Sequence, residues 1–116
     1  MLAYTMQNSS CVATMGEPLL FFSTKSEVRG LKVNSMEYFP VSTNLPYVIG
    51  IGFDGVSGRV YWTDVEAGKE TLVSAGLDGS GVVSLVTIGL DMPEDLVVEE
   101  INRNIYFTDS VSLEQD

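Results

Sequence analysis

The stretches Ser57-Gly58-Arg59-Val60-Tyr61-Trp62-Thr63-Asp64 and Asn102-Arg103-Asn104-Ile105-Tyr106-Phe107-Thr108-Asp109 read almost alike and lie 45 residues apart. A period in the 40s is that of small antiparallel β units, each unable to bury its apolar faces alone and therefore stacked against its neighbours. The match runs upstream without a gap, pairing Leu45 with Leu90, Ile51 with Leu96, Phe53 with Val98, Asp54 with Glu99 and Val56 with Ile101. Apolar falls on apolar and acid on acid. A degraded third copy precedes them: Leu19-Leu20-Phe21-Phe22-Ser23 sits about 41 residues before Tyr61, where an earlier aromatic strand is due. Val33-Asn34-Ser35 and Leu77-Asp78-Gly79 occupy matching places 44 residues apart, each ending a strand with turn chemistry.

Around these anchors the chain divides into short strands. Residues 19–23, 28–33 and 37–41 read as strands, the last placed at an edge by Pro40. Residues 48–54 and 60–63 form a hairpin across Asp54-Gly55 and Ser57-Gly58, and 71–75 with 82–88 form another across Leu77-Asp78-Gly79-Ser80-Gly81. The cycle restarts at 96–98 and 105–108. Four strands per period is the content of a propeller blade, so the expected fold is all-β, with strand groups at 19–41, 48–88 and 96–109 as consecutive blades.

Charge narrows the function. Sixteen Asp and Glu against six Lys and Arg give a net charge of −10 and a pI near 4.1. Isolated cations from Lys25 to Arg103 make no basic patch, so nucleic acid is not an expected partner. No apolar run approaches the roughly 20 residues of a spanning helix, and residues 1–16 lack the basic and apolar regions of a secretory signal. There is no histidine and one cysteine, Cys11, so no nucleophile and base pair is visible and no catalytic residue is assigned.

The tetrapeptide Tyr61-Trp62-Thr63-Asp64, its variant Tyr106-Phe107-Thr108-Asp109 and the turn Leu77-Asp78-Gly79-Ser80 resemble the YWTD repeat (class B repeat) of the low-density-lipoprotein receptor family. The resemblance implies a β-propeller of six such repeats flanked by EGF-like modules. Of that propeller the chain supplies about two and a half four-stranded blades over residues 17–116. Cys11, followed by Val12-Ala13-Thr14 and Glu17-Pro18-Leu19-Leu20-Phe21-Phe22, resembles the junction where an EGF-like module ends, with residues 1–16 as its tail and the disulfide partner of Cys11 outside the chain. Arthropod vitellogenin and lipophorin receptors are the subgroup named first. Two departures stand out. The family's Pro-Asp-Gly-Leu is Pro93-Glu94-Asp95-Leu96 here, with Asp95 in place of the glycine, which aspartate tolerates at modest cost if the position needs a positive φ, and the histidines associated with acid-triggered release are absent.

The motif residues read as scaffold. Tyr61, Trp62, Tyr106 and Phe107 are expected to pack between blades, each burying about 150–250 Å². Asp64 and Asp109, at strand ends, are expected to staple blades by accepting backbone N–H bonds. The acids Asp91, Glu94, Asp95, Glu99 and Glu100 match no calcium loop and read as a solvated rim, so no metal and no cofactor is expected. Asn8-Ser9-Ser10 is a glycosylation sequon, meaningful in a secreted or luminal setting.

The expected function is that of the extracellular propeller of an endocytic, lipoprotein-receptor-like protein. It would be a non-enzymatic scaffold that binds protein or lipoprotein ligands, or folds back on neighbouring EGF-like modules, at the cell surface and in endosomes, without itself inserting into membrane. Two alternatives stay open: a nidogen-like matrix module, and a propeller lactonase or esterase with a metal in the central channel. The enzyme is disfavoured because the inner strand offers Gly50 and Gly52 where channel ligands would stand. Two and a half blades leave a face and an edge uncovered, so the chain is expected to be part of a longer receptor and, alone, to be marginally stable or to self-associate.

Overall fold

The computed structural model describes residues 3–7 (backbone only), 18–99, 101–102 and 104–110. Every regular element among them is a strand: β1 (Ala3–Gln7), β2 (Leu19–Ser23), β3 (Val28–Lys32), β4 (Glu37–Ser42), β5 (Val48–Asp54), β6 (Arg59–Asp64), β7 (Thr71–Gly76), β8 (Val83–Val86), β9 (Pro93–Glu99) and β10 (Asn104–Asp109). They form three antiparallel sheets in the orders β1-β2-β3-β4, β5-β6-β7-β8 and β9-β10. Strands are consecutive neighbours throughout, the meander expected when each connection is a short turn. The three strand groups are those read from the repeat. β1 is an addition: it lies inside residues 1–16 and pairs with β2 along its whole length, from Ala3 opposite Ser23 to Gln7 opposite Leu19. Asn8 and Cys11 lie outside the described residues.

The core lies in the seam between the first two sheets. Phe21, Val28 and Val41 from one side meet Val48, Ile51, Phe53, Val60, Trp62, Val73 and Ala75 from the other. Phe21 stacks on Phe53, with centroids 4.7 Å apart and planes 18° from parallel, and Phe39 meets Phe21 edge-on at 6.1 Å. Phe39 reaches that position by lying over Gly30, where any Cβ would collide with its ring. Removing the fully buried Phe21 side chain would therefore cost about 3–5 kcal/mol.

The seam is also closed by backbone. Leu45 N–H donates to the Ser26 carbonyl (2.9 Å) and Val48 N–H to that of Lys25 (2.8 Å), tying the connection between sheets to the β2–β3 turn. Farther out, Gly79, at φ +85°, brings the β7–β8 turn so near the Val41 carbonyl oxygen that a side chain there has no room. The turn glycine is thus needed twice, for its dihedral and for the approach of the neighbouring sheet.

Between the second and third sheets the inner strands touch directly. A Cβ on Gly50 would run into the Glu94 carbonyl oxygen, and one on Gly52 would lie 3.2 Å from Val98 Cγ2 and 3.3 Å from Leu96 Cγ. The inner-strand glycines noted in the sequence are packing residues. They let β9 lie against β5.

Candidate functional site

The motif strands β6 and β10 make the same bonds 45 residues apart. Thr63 Oγ1 accepts from Gly50 N–H (2.9 Å), and Thr108 Oγ1 accepts from Asp95 N–H (3.2 Å). Both pairs sit at the ladder irregularities, between Val48 and Ile51 in one hairpin and between Phe107 and Asp109 in the other. A β-bulge leaves a backbone donor without its ladder partner, and the threonine hydroxyl supplies one. Leucine or valine in place of Thr63 would strand the Gly50 donor in the interior, at about 1–3 kcal/mol, whereas the exposed Asp95 donor opposite Thr108 could turn to water.

Asp64 and Asp109 hold the incoming connections. Asp64 Oδ2 accepts from Tyr47 N–H (3.3 Å) and Oδ1 from Glu66 N–H (2.9 Å). Asp109 Oδ1 accepts from Met92 N–H (2.6 Å) and Asp91 N–H (3.0 Å). Tyr47 and Met92 are themselves 45 apart, each in the link that leads from one sheet to the next. A backbone bond repeats beside them, Val65 N–H to the Tyr47 carbonyl (2.9 Å) and Ser110 N–H to that of Met92 (3.0 Å). Both carboxylates thus accept backbone bonds from the link between sheets, and these contacts involve backbone partners alone.

Asp54 and Glu99 cap the hairpin turns, a role the sequence pairing left unassigned. Asp54 Oδ1 accepts from Val56 N–H (2.9 Å) and its Oδ2 from Ser57 Oγ–H (2.9 Å); Glu99 Oε2 accepts from Asn102 N–H (3.0 Å). The signal was an acid followed three residues later by Ser or Asn, the pattern of side-chain-bonded turns. Asp78 does the same in the β7–β8 turn. The Ser80 hydroxyl (2.6 Å) and then its backbone N–H (3.0 Å) hold the carboxyl below its ordinary value of 3.8.

The structure also relocates the third copy. Ser26 N–H donates to Thr24 Oγ1 (3.3 Å) as Glu66 N–H does to Asp64, which makes Phe21-Phe22-Ser23-Thr24 the degraded motif at a spacing of 40 residues. Thr24 keeps an acceptor without the charge.

The four motif aromatics do not share one fate. Trp62 is buried in the first seam and Tyr61 is half-buried opposite Gly52, whereas Phe107 is half-buried and Tyr106 is 58 % exposed. The expected packing of Tyr106 is not met among the described residues, since no sheet covers that side of β10. Asp95 lies in extended β9, and among the described residues the non-glycine ones with positive φ are Met36 and Asn44. Its departure from glycine therefore needs no left-handed backbone.

Two clefts open along the first seam. One, of about 420 Å³, is bordered by Leu19, Lys32, Phe39, Pro40, Leu77 and Asp78. The other, of about 240 Å³, has Pro46, Trp62, Lys69 and Val73 in its wall. Ser42, Ser84, Asp64 and Glu66 also line the second cleft, and the Asp64 carboxylate there is taken up by the Tyr47 and Glu66 amides. Among the described residues no group of three or more His, Cys, Asp or Glu is placed to hold a metal ion, and no helix is long and apolar enough to cross a membrane.

A repeated hairpin that spends its threonine and aspartate on its own backbone is a structural repeat, and comparison with known proteins assigns it. The chain is 37% identical over 99 residues to Vitellogenin receptor Yl of Drosophila melanogaster, covering 82% of this chain and 5% of that protein. It is 34% identical over 100 residues to the vitellogenin receptor of Solenopsis invicta, covering 84% of the chain and 6% of the relative. The chain belongs to the low-density-lipoprotein receptor family. Low-density lipoprotein receptor-related protein 8 of Gallus gallus matches at 27% over 105 residues, 89% of this chain and 12% of that one. A chain of the nidogen/laminin complex shares the fold, with a TM-score of 0.70 and 21% identity over 78% of this chain and 35% of its own length. No family model matches. The YWTD chain thus spans about one twentieth of the length of the vitellogenin receptors it matches.

Proposed function

We propose that this YWTD segment is part of the extracellular propeller of an endocytic receptor and acts there as a non-enzymatic scaffold for protein or lipoprotein ligands. The observation that carries the proposal is the spending of the motif on backbone. Thr63, Asp64, Thr108 and Asp109 all bond main-chain groups within the repeat, and similarity to receptors named for vitellogenin supplies the ligand class. Recognition then falls to exposed faces and loops, as is usual where a rigid scaffold presents its connections. With a net charge of −10, the partner surface it fits is basic.

The test uses the receptor ectodomain that contains residues 1–116. Purified vitellogenin should bind the intact ectodomain and lose affinity when the propeller is deleted; equal binding by both forms would remove the propeller from recognition. Ester or lactone hydrolysis appearing on addition of calcium would favour the propeller enzyme instead.

A second reading, an extracellular-matrix module, is favoured by the 33% identity to Drosophila melanogaster nidogen over 78 residues, 67% of this chain and 6% of that protein. Flanking sequence separates the two. A transmembrane helix and cytoplasmic internalisation signal in the same reading frame support the receptor.

A further inference from the structure

The cleft of about 420 Å³ along the first seam lies away from every bond that Thr63 and Asp64 make. Both sheets beside it carry four strands, the full count of a blade, so its opening belongs to the seam itself. Its wall is mostly carbon: Leu19 of β2, Phe39 and Pro40 of β4, and Leu77 of the β7–β8 turn. Pro40 has no N–H to offer a ladder, so an incoming chain finds side-chain surface here and not a strand edge.

Two charges stand on the rim, and they are not alike. Lys32 is already engaged, its Nζ 3.5 Å from Glu37 Oε1. Asp78 is engaged through one oxygen: the Ser80 hydroxyl (2.6 Å) and the Ser80 N–H (3.0 Å) both donate to Oδ1, and Oδ2 keeps its acceptor capacity for an outside donor. The same bonds hold this carboxyl below its ordinary value, so it is charged at neutral pH. Its turn is fixed in place, because Gly79, at φ +85°, sits against the Val41 carbonyl oxygen. The charge left over at the rim is therefore negative, on a chain of net charge −10.

We propose that this cleft docks a segment of a protein partner in which an apolar side chain stands next to an arginine or lysine, the apolar group entering between Phe39 and Leu77 and the cation meeting Asp78 Oδ2. Charge complementarity selects that occupant. An acidic segment would meet Asp78 with like charge, and an uncharged one would leave its free oxygen without a new bond. The inference rests on the scaffold reading above and specifies the partner's chemistry. The two fail separately, since binding of vitellogenin by the ectodomain is read without the peptides used below.

The experiment titrates the 116-residue chain with three fluorescent hexapeptides, alternating leucine and arginine, serine and arginine, or leucine and glutamate. The leucine–arginine peptide should saturate the chain below about 1 mM and protect the amides of residues 76–82 from hydrogen exchange. The serine–arginine peptide should bind about tenfold more weakly or worse, the loss of one buried apolar side chain. Asp78→Asn should weaken leucine–arginine binding about two- to fivefold, the worth of an exposed ion pair, and Asp78→Lys should make the chain prefer the leucine–glutamate peptide. Glu66→Gln removes the same charge at the other cleft and should change binding by less than about twofold. Fluorescence of Trp62, buried in the second sheet, verifies that each variant is folded. Equal binding of the serine–arginine and leucine–arginine peptides overturns the proposal, as do equal losses from Asp78→Asn and Glu66→Gln or no binding at about 1 mM. Protection of residues 76–82 that rises with chain concentration and not with peptide gives the cleft to a second copy and overturns it too.

Discussion

The hairpins β5–β6 and β9–β10 have the same bonds and different surroundings. Each has a threonine on a bulge donor, an aspartate on the incoming link and an acid on its turn. Yet Val60, Trp62 and Thr63 are all but inaccessible, while Ile105 and Phe107 are half-buried and Thr108 is exposed. The same local code therefore builds the same hairpin whether or not neighbours cover it, and burial is added afterwards by the flanking sheets. Side-chain bonds set the shape of a blade. Packing against the next blade sets how much that shape is worth, because apolar burial stabilises more than the turn and bulge bonds do and operates only across the seams.

Truncating equivalent aromatics tests that division most strongly. Trp62→Ala should destabilise the chain by about 3–5 kcal/mol in denaturant unfolding, and Phe107→Ala by less than half of that, since its neighbours cover it only in part. Equal losses would mean that the motif aromatic contributes through its own hairpin alone. The inner-strand exchange comes next. Gly50→Ala pushes a methyl group into the Glu94 backbone, which cannot yield as a side chain would, and should cost about 2–3 kcal/mol. Asp95→Ala, at the matching place on the uncovered side, should stay within about 0.5 kcal/mol of wild type.

Asp64→Asn and Asp109→Asn compare the staples themselves. Asp64, 5 % exposed, should cost about 1–3 kcal/mol on losing its charge-assisted bonds, and the more exposed Asp109 less. Within a complete propeller, Asp64→Asn should lower melting temperature and secretion and leave ligand affinity unchanged. A wild-type melt with lost binding would make the aspartate a contact residue. The smallest effect belongs to Asp78, whose turn has no counterpart in the described part of the third sheet. Its folded-state pKa is lowered by Ser80, so its contribution is present above the ordinary value of 3.8 and is lost as pH falls through the lower folded value. Acid titration of stability from about pH 4 to about pH 2 should be slightly shallower for Asp78→Asn, and identical curves would show that solvent screens the turn completely.

Much of the fold is legible in the chain, for reasons that differ by residue. Tyr61-Trp62-Thr63-Asp64 and its copy align because every bond they make falls within one repeat, so the pattern recurs wherever the hairpin does. Asp54 and Ser57 carry the spacing of a turn cap. The degraded copy is displaced by one residue in the sequence alignment because Thr24 has replaced the aspartate that marks the register. Gly50 and Gly52 look in sequence like empty channel positions, because the strand that needs their missing side chains lies more than 40 residues away.

By itself the sequence determined the period, the all-β class, the hairpins and the family, since each rests on residues near one another in the chain and on strand alternation, which backbone geometry imposes locally. The tertiary structure alone decided which side of each sheet is covered. It joined Ala3–Gln7 to the first sheet, set β9 against Gly50 and Gly52, buried Trp62 and left Tyr106 in solvent. Two near-identical motifs cannot encode that difference, because what surrounds a side chain is a property of the stack and not of the repeat.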